Sequence, residues 1–334
     1  MLRLHCLQPA SALGQLTRME DPISRNSMES RLDGPDASCL VIEKGKTIAA
    51  RCSLWWRRAP SLPGERIGLI GHYAARDPVS ARQVLRHACE QLFRRGCTLA
   101  VGPMDGSTWR HYRCIVERGT EPVFFLEPDN PDDWPGHFVT SGFTPLASYS
   151  SAINRDLSRE DSRVALIAAR MESQGIQIRS LNLENLEQEL RQIYTVAMTS
   201  FRSNFLFTPI HEQEFIALYG PLRPYLRPEL VLIAEQCGLP VGFLFAVPDI
   251  HQAQRSEGVD TFIVKTLAVL PARSNAGLGS LLLARCHETA RKLGYTRAIH
   301  ALMHDQNRSR NLSAPYTSTI RRYSLFAQRL RVPS

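Results

Sequence analysis

The sequence predicts an α/β protein, a mixed sheet flanked by helices, built as two halves of like element order. Three observations carry this reading. A chain of 334 residues has the length of two ordinary domains. Near the C-terminal end, 262–290 reads as strand, glycine turn and helix. The apolar run Phe262–Leu270 stops at Pro271, and Ala272–Gly279 supplies a small-residue turn with Gly277 and Gly279. Leu278, Leu282, Cys286, Ala290 and Leu293 then follow at helical spacing on one face. Finally, the order of strands and helices in this half recurs upstream, without obvious residue identity.

Taken in order, residues 1–36 are polar and irregular and are expected to form a loose arm. A first domain is expected over 37–155. Cys39–Glu43 and Thr47–Trp56 read as a hairpin across Lys44-Gly45-Lys46, and Arg66–Tyr73 as a strand after the Pro/Gly break at 60–64. Ala81, Val84, Leu85, Ala88, Leu92 and Phe93 keep helical spacing up to a stop at Gly96. Thr98–Val101 and Pro122–Leu126 read as short strands, and Gly142-Phe143 leads into Thr144–Ile153. Gly102–Trp109 reads either as a turn anchored by Trp109 or as a pocket wall facing an amine or acyl group. In the connector 156–175, a linking helix is expected over Ser158–Gln174, with Ser158 as cap, Asp161 in its first turn and Gly175 as stop. The second domain, 176–332, opens with helices at Leu186–Phe201 and His211–Leu218. A hairpin of Leu230–Gln236 and Val241–Val247 around Gly238-Leu239-Pro240 follows, then the strand–turn–helix unit, a strand at Thr296–Met303 and a last one at Arg322–Phe326.

Strand, glycine turn and helix is a device for holding phosphate. Glycine removes the Cβ that would block close approach, and the first-turn N–H groups point at an anion. Two familiar phosphate loops do not fit. No Lys follows Gly279, as a Walker loop requires, and Leu282 stands where a dinucleotide fingerprint needs its third glycine.

A strand ending L-x-V-x-P, a turn ending G-x-G and then a helix resemble motif A of the GNAT superfamily of acyl-CoA-dependent N-acetyltransferases. The family pattern R/Q-x-x-G-x-G/A lines up with Ser274-Asn275-Ala276-Gly277-Leu278-Gly279, with Ser274 in place of the usual Arg or Gln. The resemblance spans about 176–330, and the N-terminal half resembles a second, degenerate copy. Its strand-to-helix junction, Ala74 to Ser80, has no glycine and puts Asp77 where a pyrophosphate would sit.

The resemblance implies acetyl-CoA as co-substrate, no metal, and a small-molecule or peptide amine as acceptor. It assigns the pyrophosphate to Ser274–Ser280 and polarisation of the thioester carbonyl to main-chain N–H groups of Leu267, Ala268 and Val269. Asn307, after the fifth strand, stands where the family contacts the cofactor. His304 is a candidate base acting through water, with a solvated surface histidine as the alternative. Tyr316 is a candidate acid for the departing thiolate. Lys265, Phe205 and Phe207 are candidate walls of the acceptor site, with a snorkelling lysine and core aromatics as the plain alternatives.

No stretch approaches the length of a spanning helix, the N-terminus shows no secretory pattern, and the eight cysteines are scattered without a C-x-x-C pair. A reduced cytoplasmic protein without structural zinc or disulfides is therefore expected. Net charge is +8 and the pI about 9.2, but the basic residues are mostly dispersed arginines without interleaved aromatics. This ranks nucleic-acid binding below an acyl-CoA-dependent N-acetyltransferase and below its alternative, a non-catalytic GNAT-like binding module.

Overall fold

A computed structural model describes residues 3–7, 34–42, 47–159, 162–255, 258–306 and 316–331. The N-terminal half supplies β1 (Arg3–Leu7), β2 (Ala37–Ile42), β3 (Ile48–Trp55), β4 (Ile67–Ala75), α1 (Pro78–Arg94), β5 (Leu99–Gly102), β6 (Cys114–Glu117), α2 (Trp134–Thr140) and β7 (Thr144–Asn154). After α3 (Val164–Ser173), the C-terminal half supplies β8 (Ile176–Ser180), α4 (Leu186–Ser200), α5 (Glu212–Tyr219), β9 (Val231–Gln236) and β10 (Leu239–Pro248). It ends with β11 (Thr261–Val269), α6 (Leu278–Lys292), β12 (Arg297–His304) and β13 (Ser318–Arg329).

The strands described join one mixed sheet, ordered β1-β2-β3-β4-β5-β13-β7-β12-β11-β10-β9-β8, with β6 also paired to β13. Each half repeats the same plan: an antiparallel meander, a parallel pair joined by a helix, and a terminal strand. The terminal strands are exchanged. β7, from the first half, pairs with β12 of the second, while β13 pairs with β5 of the first. β7 and β13 lie side by side from Thr144↔Ala327 to Ile153↔Ser318, fusing the halves along an antiparallel seam.

Apolar faces follow the periods that predict them. In α1, Ala81, Val84, Leu85, Ala88 and Leu92 are buried against β2–β4, and in α6 Leu278, Leu282, Cys286 and Ala290 are fully buried. Leu293, expected to continue that face, is 47% exposed, because the helix ends at Lys292 and the chain turns away at Gly294. No helix among the described residues is long and apolar enough to cross a membrane.

Other expectations change. Part of the supposed loose arm, Arg3–Leu7, is an edge strand in full register with β2, because Leu4 and Cys6 alternate with polar residues at the period a sheet edge uses. Pro122–Leu126 is not a strand: Glu127 folds back, its N–H bonding to the Phe124 carbonyl and its carboxylate accepting the Phe124 N–H. β6 and α2 arise instead in stretches without clear periodicity. The linking helix starts only at Val164. Ser158 does not cap it but donates its hydroxyl to Asp156, and Asp161 lies outside the described residues.

Asp77 caps α1, accepting from the N–H groups of Val79 and Ser80 at 3.0 and 2.9 Å. Although burial opposes the charge, these bonds and Arg76 hold its carboxyl below the usual range. Asp77→Ala is expected to lower stability by about 1 kcal/mol, read as a reduced urea midpoint at neutral pH. The difference should shrink as the pH falls through the folded-state pKa of the carboxyl.

Candidate active site

Parallel pairing between β11 and β12 runs from Thr261↔Arg297 only to Val264↔His300. There β11 bulges: Thr266 faces Phe245 and Val264 faces Ala246 on β10, leaving Lys265 as the extra residue. β12 shifts register against β7 in the same place, between His300 and Met303, and its Leu302 adopts a left-handed φ of 59°. The Leu302 N–H donates to the Ser151 hydroxyl rather than along a parallel ladder. The two strands therefore part, and a cavity of about 1180 Å³ opens in the gap. Lys265–Leu267 and Ala301–His304 line it from the second half, Trp109, Tyr112 and Arg113 from the first, and Phe205 and Phe207 from the loop after α4.

Lys265 is half-buried, its ammonium donating to the Leu126 carbonyl at 3.4 Å. Burial, aided by the nearby charge of Arg113 and opposed by Glu127, brings its pKa down to about 7. Arg113 is buried at a left-handed φ of 71°, its guanidinium 3.8 Å over the Tyr112 ring and 4.2 Å over Tyr149. It donates to the Leu302 carbonyl at 3.0 Å, so a residue of the first half secures the strand that parts in the second. Beside the cavity, Glu127 forms a fully buried ion pair with Arg321 at 2.8 Å and also accepts from the Tyr323 hydroxyl.

His304 packs edge-on against Tyr149, ring centres 4.9 Å apart, and against Phe205. Its Nδ1 accepts the Gln306 N–H at 3.1 Å, and burial lowers its pKa. In the neutral ring that bond leaves the proton on Nε2, which makes His304 a donor there rather than a base.

The glycine turn lies at the far end of the strand that lines the cavity. Arg273–Asn275 forms one 3₁₀ turn, with Asn275 buried and its amide donating to the Leu270 carbonyl at 3.1 Å. Gly277 then takes φ 85°, a left-handed conformation that disfavours a side chain, and starts α6 with no side-chain cap. Ser274 and Ala276 are exposed, Gly279 and Ser280 half-buried, and Leu278 buried. α3 rests on this turn: Ile167 stands 3.0 Å from where a Cβ of Gly277 would be, and Arg170 donates to the Ala276 carbonyl. The turn itself does not line the cavity. Leu283, five residues into α6 and so about 7.5 Å along its axis, does.

The first half repeats this layout in closed form. β4 and β5 are parallel from Ile67↔Leu99 to Leu69↔Val101, and β4 is displaced against β3 around His72, at φ 45°. Here the gap is filled. Met104 is buried and its N–H donates to the Ile70 carbonyl, while Asp105 accepts the His72 N–H. A Cβ on Gly71 would fall 2.2 Å from the Met104 carbonyl oxygen. The helix start, which in the second half has no side-chain cap from Gly277, is taken by the Asp77 carboxylate.

Of the residues expected from sequence, Phe205, Phe207, Lys265, Leu267 and His304 converge on the cavity. Ala268 is in the core and Val269 half-buried at the strand end. Tyr316 is half-buried just before β13 and does not line the cavity, and Asn307 lies outside the described residues. Trp109 anchors its loop and also lines the cavity: its indole donates to the Thr208 carbonyl, and its ring stands between Phe201 and Phe207. Sequence reasoning missed Arg113 and Glu127, because nothing local marks a residue whose partners lie some 190 positions away.

Residues 189–313 match the acetyltransferase (GNAT) family. Over 194 residues the chain is 25% identical to a bacterial ceramide synthase of Caulobacter vibrioides, covering 57% of this chain and 50% of that protein, so it spans about half the relative's length. The fold resembles a GCN5-related glucosamine N-acetyltransferase region of a fungal multi-domain β-N-acetylglucosaminidase (TM-score 0.56, 11% identity, 98% of this chain and 38% of that one). It also resembles a GCN5-related N-acetyltransferase from Sphaerobacter thermophilus (TM-score 0.51, 14% identity, 100% of this chain and 97% of that one).

Proposed function

From the premise that this chain carries a GNAT-family domain within a tandem GNAT-like fold, we propose that it is an acyl-CoA-dependent N-acyltransferase. On this reading the second half holds the donor and the cavity between the halves receives a primary amine. Acetyl transfer from acetyl-CoA is the simplest case. The single observation that carries the proposal is the parting of β11 and β12 at Lys265, in line with an uncapped helix start at Gly277. The half that keeps its gap open also starts its helix without a side-chain cap, whereas the other half fills both, which supports a structural or substrate-shaping role for the first half.

When bound, acyl-CoA supplies a thioester carbonyl for the amine to attack. First-turn amides of α6 suit its diphosphate. Backbone groups of Lys265–Val269 on the β12 side have no ladder partner on that strand and are placed to polarise a carbonyl. Lys265, largely neutral above pH 7, takes the proton the amine gives up. The Nε2–H of His304 offers a second donor, and Tyr316 is left without a role in the cavity. A volume of about 1180 Å³, walled by aromatics, admits acyl groups or acceptors well beyond acetyl. With a relative named as a ceramide synthase, lipid-derived amines are the first acceptors to try.

Acetyl-CoA or a longer acyl-CoA is expected to raise the melting temperature of the full chain and to release free CoA when a matching amine is present. Ser280→Glu puts a carboxylate in the first turn of α6, where helices tolerate it well. The variant should melt normally and lose the ligand-induced shift. An unchanged shift in the variant would remove the turn from the site, and no shift for any acyl-CoA in the wild type would remove the transferase reading. A shift without CoA release from any amine would favour the binding-module alternative.

A further inference from the structure

The eight cysteines are scattered in sequence, but the sheet register gathers three of them. Cys6 on β1 lies opposite Cys39 on β2, and Cys39 lies opposite Cys52 on β3. Direct cross-strand partners share a face, and here it is the face covered by α1, whose Ala81, Val84 and Ala88 pack with Cys39 and Cys52. His87 stands on the flank of that helix. The Cys6 and Cys39 sulfurs and a ring nitrogen of His87 lie within 4.8 Å of one another. Three separate elements thus deliver two soft sulfurs and an imidazole to one point.

We propose that Cys6, Cys39 and His87 form a zinc-type metal site that fastens the edge strand β1 to the first half. Thiolate and imidazole are the ligands a d¹⁰ divalent ion prefers, and four-coordination is its habit. Cys6 is exposed and Cys39 fully buried, so an ion here would sit at the rim of the sheet. Its fourth position is open to water or to Cys52. Glu90 stands 3.8 Å from His87 Nδ1, suited to holding the ring as an outer partner. As the two metal–sulfur bonds form, both thiol protons pass to bulk water. This site is independent of the acyl-transfer reading.

The test uses the full chain, reduced and stripped with chelator, titrated with zinc against a chromophoric competitor and analysed for metal content. One equivalent is expected, and cobalt should give the visible absorption of a tetrahedral thiolate site. Cys6→Ser changes an exposed side chain and should fold normally while weakening zinc by roughly 100-fold, as should His87→Ala. Cys237→Ser, on an exposed turn at the other end of the sheet, should leave affinity unchanged. Zinc should also raise the melting temperature of the wild type but not of Cys6→Ser. No stoichiometric uptake by the wild type, or full affinity in both ligand variants, overturns the proposal.

Discussion

Lys265→Met is expected to cost about 10²–10⁴-fold in turnover while leaving the fold intact and slightly more stable. Lys265 is the bulged residue at the point where β11 leaves β12, and its ammonium donates to the Leu126 carbonyl. With a folded-state pKa of about 7, it serves as a base only after losing its proton, so wild-type activity should rise as the pH passes through 7. In the methionine variant that limb should vanish. The stability effect has the opposite sign. Because the folded pKa lies below that of the unfolded chain, the native state binds fewer protons between about 7 and 10. Wild-type stability therefore climbs with pH across that window, and below it the buried charge is a burden. Methionine keeps the stem and removes the charge, so the variant should melt higher than the wild type at neutral or lower pH. Full turnover with an unaltered pH profile would take Lys265 out of the chemistry.

Arg321→Met is expected to be the most destabilising single change near the cavity, by about 3–5 kcal/mol. Both members of the Arg321–Glu127 pair are completely buried, and Arg321 also donates to the carbonyls of Glu121 and Pro122. Removing the cation strands the Glu127 carboxylate in the core, where among the described residues Tyr323 and the Phe124 N–H are left to hold it. Urea denaturation should show the loss, and the double variant Arg321→Met/Glu127→Leu should recover most of it. A second consequence reaches the site. The segment that Arg321 ties down presents the Leu126 carbonyl to Lys265, so loosening it admits water to the amine. An uncompensated Glu127 anion pushes the Lys265 pKa the same way, upward. The activity limb should move to higher pH in the single variant and fall back to or below its wild-type position in the double, which lacks the anion.

The legible parts of this molecule are those with local causes. The β11–turn–α6 unit stood out because a strand, Pro271, two glycines and a helical stripe are all coded within thirty residues. α1 and its stop at Gly96, the β9–β10 hairpin and the run into β7 were legible for the same reason. The ends of elements were less so: β1 is too short to show its period beside polar neighbours, and the start of α3 carries no side-chain cap. Half of the candidate site was legible too. Lys265, Leu267, His304, Phe205 and Phe207 follow from position within the element order of the resembled family. Tyr316 was suggested only by its nearness to the region where the resembled family carries a tyrosine, and it does not line the cavity. Arg113 and Glu127 came from outside that order, since their roles depend on which strand lies beside which across the seam. The cysteines teach the same lesson, because register is a property of pairing and not of spacing.

The crossed-over final strands have a consequence for how the protein comes into being. The first half holds only part of its own sheet until residues 318–329 arrive, and those follow the sheet's other described strands in the chain. During synthesis, β5 must wait with a bare edge while more than two hundred residues are added. Neither half, cut out at 155 or 176, carries the strand that completes it. The two copies are thus bound into a single cooperative unit, and a ribosome that stalls before 318 leaves the first half without the strand that closes its sheet.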